Sequence, residues 1–226
     1  MKNVLYPRWP LSSARWASLI VTALAGTAFA LGYLFYGELP DQMASHWGIG
    51  GQVDGYMSKC WGTFLLPSLM VIFSVLLFAI PRMDPQKANL DGWRGYYDAF
   101  IVLFAAFFLY LHALVLTYNL GWMIDMGSWL MPGFAVLWFY IGILLGHARK
   151  NWFVGIRTPW TLTDEDNWVQ THRLAATTFK SAGILLLLGV FLPSAVLWYT
   201  ALPILLSSAL IPVVYSYVLS RRKGAK

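Results

Sequence analysis

Long uncharged apolar runs alternate with short polar segments along almost the whole chain. A helix needs about 20 apolar residues to cross the hydrocarbon core of a bilayer, and it satisfies the backbone groups of such a run internally. The pattern therefore predicts an all-α integral membrane protein with six transmembrane helices: Trp16–Tyr36, Trp61–Ile80, Ala99–Leu120, Trp129–Gly146, Ala175–Trp198 and Leu202–Leu219. The last two form nearly one apolar stretch, Ser181 to Ser220, too long for a single crossing. Pro203, following Tyr199-Thr200-Ala201-Leu202, offers a reversal, so the division is placed there.

Lys and Arg set the orientation, because basic residues gather in cytoplasmic loops. With the N-terminus inside, Lys2, Arg8, Arg15, Arg82, Lys87, Arg94, Arg149, Lys150, Arg157, Arg173, Lys180, Arg221, Arg222, Lys223 and Lys226 are cytoplasmic; of 16 basic residues only Lys59 falls outside. Both ends are thus expected in the cytoplasm. Lys2, Arg8 and Arg15 before an apolar run suggest a signal peptide, but Trp16–Gly37 is long for one and further spans follow, so it reads as a retained helix.

Composition agrees with a lipid solvent: 58% of residues are hydrophobic and 12% charged, with 12 Trp and 12 Tyr suited to the headgroup boundary. The net charge of +6 follows from the loop partition, so no direct nucleic-acid partner is implied. A single cysteine, Cys60, excludes an intramolecular disulfide.

Two connections are long: the outer one, 38–59, and the inner one, 147–174. Each follows the first helix of a three-helix half, and the halves run oppositely through the membrane, the outline of a 3+3 inverted arrangement. No residue-level similarity relates the halves, and an accident of helix number explains the outline more simply. Thr22-x-x-x-Gly26-x-x-x-Ala30 and Gly142-x-x-x-Gly146 place small residues one turn apart, favouring close helix packing within the chain or in a homo-oligomer.

The inner loop is the most specific segment. Gly155 permits unusual backbone angles and Pro159 pushes Thr158 into an extended conformation. Arg157 and Trp160 then come close enough for a guanidinium to stack on an indole. A helix is expected to begin at an N-cap Thr163, with Asp164, Glu165 and Asp166 in its first turn. Trp168, Thr171, His172 and Ala175 then share one face, and the helix runs on into the fifth span. Such a segment serves equally as an interfacial elbow, with Trp160 and Trp168 as anchors and Arg157 and Arg173 meeting lipid phosphate.

The pattern Asn151-x-x-x-Gly155-Ile156-Arg157-Thr158-Pro159-Trp160-Thr161-Leu162, then Trp168-x-x-Thr171-His172-Arg173, resembles the signature of the SdpI-type immunity family of bacterial membrane proteins. Ala175-Ala176 stands where members carry a Gly pair. The outer segment Leu39-Pro40 to Lys59, including His46, Asp54, Gly55 and Lys59, resembles the uncharacterised extracytoplasmic region that often precedes it, with Ala44 and Gly48 departing from the usual Pro and Asn. Residue pattern alone reads this outer segment as a turn-rich polar loop, Asp54-Gly55 marking a tight turn. Two regions follow: residues 1–80, two helices with the outer loop, and 81–226, four helices with the inner one.

The resemblance implies an immunity or receptor-type protein of a prokaryotic cytoplasmic (inner) membrane. It would meet a secreted peptide toxin outside and, as in some relatives, sequester a cytoplasmic transcriptional repressor inside. Asn151, Gly155, Arg157, Thr158, Pro159, Trp160, Trp168, Thr171, His172 and Arg173 would form the inner partner site, and Pro40, His46, Asp54, Gly55 and Lys59 the outer one.

Two other classes compete. His112, near the middle of helix three with Tyr110, Thr117 and Asn119 on the same helix, would line the path of a small secondary transporter; a neutral histidine bonded across helices is the alternative. An intramembrane metal-dependent enzyme would draw on Glu38, Asp41, His46 and Asp54, or on His172 with Asp166. No ligand spacing supports a metal site, and no His-Glu-x-x-His, Gly-x-Ser-x-Gly or phosphate-loop motif is present, so no catalytic residue, metal or cofactor is assigned.

Overall fold

The computed structural model describes residues 12–49, 51–90 and 92–224; Lys2, Arg8 and Lys226, used above to orient the chain, lie outside these. Its elements are α1 (Ser12–Phe35), β1 (Gln42–Trp47), β2 (Val53–Ser58), α2 (Lys59–Met83), a short 3₁₀ turn (Lys87–Asn89), α3 (Arg94–Asn119), α4 (Met126–His147), α5 (Pro159–Thr163), α6 (Glu165–Gly189) and α7 (Ser194–Gly224). Among the described residues, five helices are long and apolar enough to cross a membrane: Ala14–Phe35, Lys59–Met83, Arg94–Asn119, Met126–His147 and Ala195–Arg222. The chain is a mostly helical, multi-pass membrane protein.

α6 is not among the five. Its first turns are polar, and its apolar part, 175–189, covers only about 22 Å at 1.5 Å per residue. The division between the last two helices also differs from expectation. The chain turns at 190–193, and Pro203 lies inside α7 with Pro212. Gly189 is packed so that a Cβ there would come 2.8 Å from Leu197 Cδ1, and Pro193 bars Leu192 from continuing a helix. Two prolines ten residues apart offer two breaks, and packing selects the first.

Helices α1, α2 and α3 pack around Met70, Trp93, Tyr97, Ile101 and Ala105; α4, α6 and α7 pack around Met131, Ala135, Leu186, Leu197 and Ala201. The α3–α4 interface joins the two groups. Their pairings differ: α1 leans mainly on α3, whereas α4 leans mainly on α6 and little on α7, so packing shows no counterpart of an inverted repeat. Of the two small-residue patterns, Gly142-x-x-x-Gly146 serves α4–α6 contact, a Cβ at Gly142 falling 2.8 Å from the Lys180 backbone nitrogen, while Gly26 meets nothing within 4 Å.

The outer segment corrects both the loop reading and the all-α expectation. It forms an antiparallel hairpin, and Asp54 and Gly55 lie within β2 rather than in a turn. The reversal is at 48–52, closed by the Gly48 amide donating to the Gln52 carbonyl at 2.9 Å, with Gly51 at φ +78°. Met43 is fully buried against Gly62. The outer edge of β1 is occupied by Asn119 at the end of α3: its Oδ1 accepts from the Ala44 amide at 2.7 Å and its Nδ2 donates to the Ala44 carbonyl at 3.1 Å. One side chain thus copies a strand neighbour. Asn119→Leu strands both Ala44 groups and is expected to cost about 1–3 kcal/mol, releasing the hairpin. Faster proteolysis at 48–52 in proteoliposomes checks this.

Candidate functional site: the elbow between α4 and α6

The segment from Ala148 to Arg173 folds around its own polar side chains. Asn151 is 1% exposed and makes four bonds: Nδ2 donates to the Arg149 and Val154 carbonyls, and Oδ1 accepts from the Phe153 and Val154 amides. The turn is anchored outward by Asp84 at the end of α2, whose Oδ2 accepts from the Trp152 amide at 3.1 Å, and by Asn89, which donates to the Lys150 carbonyl at 2.8 Å.

Gly155 has φ +125°, and a Cβ there would lie 2.3 Å from His172 Nε2. His172 Nε2 accepts from the Ile156 amide at 3.0 Å, so the ring proton sits on Nδ1, which donates to the Trp168 carbonyl at 2.8 Å. The imidazole stacks on the Trp168 indole, centroids 4.0 Å apart. His172 lies ahead of the apolar part of α6, and burial lowers its pKa to about 4, more than the Trp168 bond raises it. The ring is therefore a neutral structural clamp.

Thr158 caps α5. Its Oγ1 accepts from the Thr161 amide while the Thr161 hydroxyl accepts from the Thr158 amide, and Pro159 begins the helix, where its missing N–H costs nothing. Asp164, not Thr163, caps α6, accepting from the Asp166 and Asn167 amides; the Thr163 hydroxyl instead donates back to the Pro159 and Trp160 carbonyls. Side-chain bonds reach across to α7: Thr158 to the Ser216 hydroxyl at 3.0 Å, and Asn167 Nδ2 to the Ser216 carbonyl at 2.9 Å. Thr171 donates to Asn167 Oδ1, and Trp168 Nε1 donates to the Ala148 carbonyl.

The predicted inner residues thus divide in two. Asn151, Thr158, Trp168, Thr171 and His172 are buried and, with Gly155, build the elbow; Arg157, Pro159 and Arg173 are exposed, and Trp160 is half-buried. The expected Arg157–Trp160 stack does not form: Trp160 packs on Tyr217, and Arg157 donates to the Trp152 carbonyl. Trp152 and Val169 add exposed apolar surface beside Arg157 and Arg173. Sequence reasoning missed Asp84, Asn167 and Ser216, which are fully or almost fully buried; an acidic residue at a helix end and a serine inside an apolar run were their only signals.

In the hairpin, His46 and Asp54 pair across the strands at 2.5 Å, Gly55 lies against the His46 Cβ, and Lys59 sits over the Tyr36 ring. Pro40 lies two residues before β1. Among the described residues no three His, Cys, Asp or Glu converge as a metal site would require. The intramembrane polar set is dispersed. His112 bonds the Ala28 carbonyl of α1 at 3.0 Å, Tyr110 the Trp129 carbonyl, and Asn119 the hairpin.

Residues 147–216, the elbow together with most of α6 and α7, match the SdpI/YfhL protein family. The chain carries an SdpI/YfhL-family region. Residues 23–71, covering the hairpin and parts of the helices flanking it, match a domain of unknown function, DUF1648. The chain is 23% identical over 200 residues to "Immunity protein SdpI" of Bacillus subtilis (strain 168), covering 88% of this chain and 92% of that one. It is 43% identical over 47 residues to "Uncharacterized membrane protein YbgB" of the same organism, covering 21% of this chain and 52% of the relative. No solved structure matches. The SdpI-family region and the segment folded by Asn151, Gly155 and His172 thus begin together, at the end of α4.

Proposed function

We propose that this chain is an immunity protein of the prokaryotic cytoplasmic membrane, protecting its cell from a secreted peptide toxin. Similarity to an immunity protein along nearly the full length of both chains supports this reading. In it, α6 also crosses the membrane, giving six spans with both ends inside. Residues 1–80 form the part that faces the toxin through the hairpin, and 81–226 the SdpI-like part. The observation that carries the site is the division of the elbow: its buried signature residues are consumed in folding, leaving Arg157, Arg173, Trp152 and Val169 as a presented surface. That surface suits a cytoplasmic protein partner such as a transcriptional repressor. Toxin binding outside then changes repressor affinity inside only if the two ligands favour the same one of two states.

Arg157→Ala removes an exposed guanidinium and its bond to the Trp152 carbonyl, and leaves the buried bonds of Asn151, Thr158 and His172 in place. Expressed in toxin-sensitive cells, it is expected to reach the membrane at wild-type levels yet lose roughly tenfold or more in protection, the scale of one lost charge-assisted bond. Survival equal to wild type overturns the assignment. Arg173→Cys in a Cys60→Ser background tests the topology. An impermeant maleimide should label it in inverted vesicles and not in intact cells; labelling from outside removes the partner surface altogether.

A transporter would need polar groups converging within the membrane, and His112, Tyr110 and Asn119 are bonded to three separate partners.

A further inference from the structure

The hairpin has two edges, and the fold closes one of them. The Lys59 amide donates to the Asp41 carbonyl at 2.9 Å, which fixes the alternation of the ladder. Met43 and Met57 are then a bonded pair, while Ala44 and its ladder partner Tyr56 turn their backbone groups away from each other. On the β1 side the outward amide and carbonyl of Ala44 are both taken by Asn119. On the β2 side, among the described residues, nothing outside the hairpin bonds the Tyr56 amide or carbonyl, and the residue is 64% exposed. Asp54, Tyr56 and Ser58 alternate as exposed positions along β2 with the half-buried Val53, Gly55 and Met57. An open strand edge is a template for another strand, and here only one of the two edges is covered.

The end of the bundle that carries the hairpin is acidic. Among the described residues its charged side chains are Glu38, Asp41, Asp54 and Asp125, all exposed, against Lys59, which is half-buried over the Tyr36 ring. Asp54 shares one oxygen with His46. Asp125 stands beside the hairpin reversal, its Oδ1 3.5 Å from where a Cβ on Gly51 would lie. Asp54 and the Tyr56 ring are two residues apart on one face of β2, a carboxylate next to an aromatic face, and both attract a cation.

We infer that the open edge of β2 binds an extended cationic peptide, which joins the hairpin as a third strand through the Tyr56 amide and carbonyl. Main-chain bonds supply the pairing, and alternate side chains of the added strand fall beside Asp54 and Tyr56, where basic residues are favoured. The surrounding acids draw the same peptide from solution. A second copy of this chain is the poorer occupant, because it would bring an equally acidic hairpin against this one. A helical partner cannot offer the backbone groups that the edge requires. That the peptide is a toxin rests on the immunity reading; the strand pairing itself does not.

Two blocked peptides of six residues, the length of β2, test it: one alternates Lys with Val, the other Glu with Val. Each is titrated onto the full chain in nanodiscs of neutral lipid while hydrogen exchange of residues 53–58 is followed. The lysine peptide should slow that exchange and bind about tenfold more tightly than the glutamate peptide at low salt, a difference of about 1.4 kcal/mol that closes at high salt. The lysine peptide N-methylated at every residue keeps its charge, loses its donors and should not bind. Tyr56→Pro removes the outward amide at an edge position, where proline is tolerated, and should weaken binding more than Tyr56→Ala, which keeps it. Equal binding of the lysine and glutamate peptides overturns the proposal, as does undiminished binding of the N-methylated one. Protection of 53–58 that rises with protein concentration and is indifferent to peptide also overturns it, because that marks a second copy as the occupant. If Tyr56→Pro does not fold, the three peptides on the wild type still decide. A chain that binds the lysine peptide yet gives no protection from toxin refutes the immunity reading alone; one that protects without binding it refutes this proposal alone.

Discussion

Gly155→Ala is expected to unfold the elbow between α4 and α6. The backbone there has φ +125°, a region an L side chain rarely adopts, and the new methyl would stand 2.3 Å from His172 Nε2. Relief by moving the ring breaks its bond from the Ile156 amide and its stack on Trp168. Backbone strain and a stranded buried amide together cost about 3 kcal/mol or more. For a chain of this size that corresponds to a fall of roughly 6–12 °C in Tm, measurable by thermal unfolding in detergent. The cause can be isolated. In Gly155→Ala/His172→Ala the imidazole is gone, so the double variant should be less destabilised than the two single losses summed. Strict additivity shows that the close approach is not what demands glycine.

Stability should also fall on acidification through His172. Its pKa in the folded chain is about 4, below the ordinary histidine value of 6.5, because burial disfavours the charged ring. A depressed histidine contributes fully above the unfolded value, and that contribution is lost as pH falls from 6.5 to 4, since the unfolded state takes up the proton first. The loss over that window is on the order of 3 kcal/mol at about 1.4 kcal/mol per unit. Arg149, His147 and Glu165 line one cavity with His172, so the readout is a difference. The fall in Tm between pH 6.5 and 4 should be several degrees steeper for wild type than for His172→Gln. Equal slopes would show that His172 accepts a proton without cost.

The clamp explains why sequence alone could find the elbow without finding its logic. Gly155, Pro159 and the acidic run at 164–166 are local signals, and they were legible as a turn followed by a helix start. The face shared by Trp168, Thr171, His172 and Ala175 was legible too, and all four are buried. What that face meets was not. The return of the chain places Ser216 of α7 against Thr158 and Asn167, and Asp84 of α2 against Trp152, across separations of 49 to 68 residues. No local spacing encodes these contacts. The hairpin was illegible for a related reason: two six-residue strands, the second interrupted by Asp54 and Gly55, carry a weak pattern, and their pairing is secured from outside by Asn119.

The chain determined by itself where lipid must be its solvent, because an uncharged apolar run has one environment that suits it whatever its neighbours are. It also determined which faces turn inward in the elbow, since helical period is a property of the backbone. Tertiary structure decided what depends on choice among local equals. Pro193 and Pro203 can each end a helix, and Gly189 packed on Leu197 selects the first. Arg157 can reach an indole or a carbonyl, and Tyr217 takes the indole. His112 can serve a path or a partner, and the Ala28 carbonyl claims it. In each case the local alternatives are similarly plausible, and a contact brought from a distant part of the chain supplies the difference.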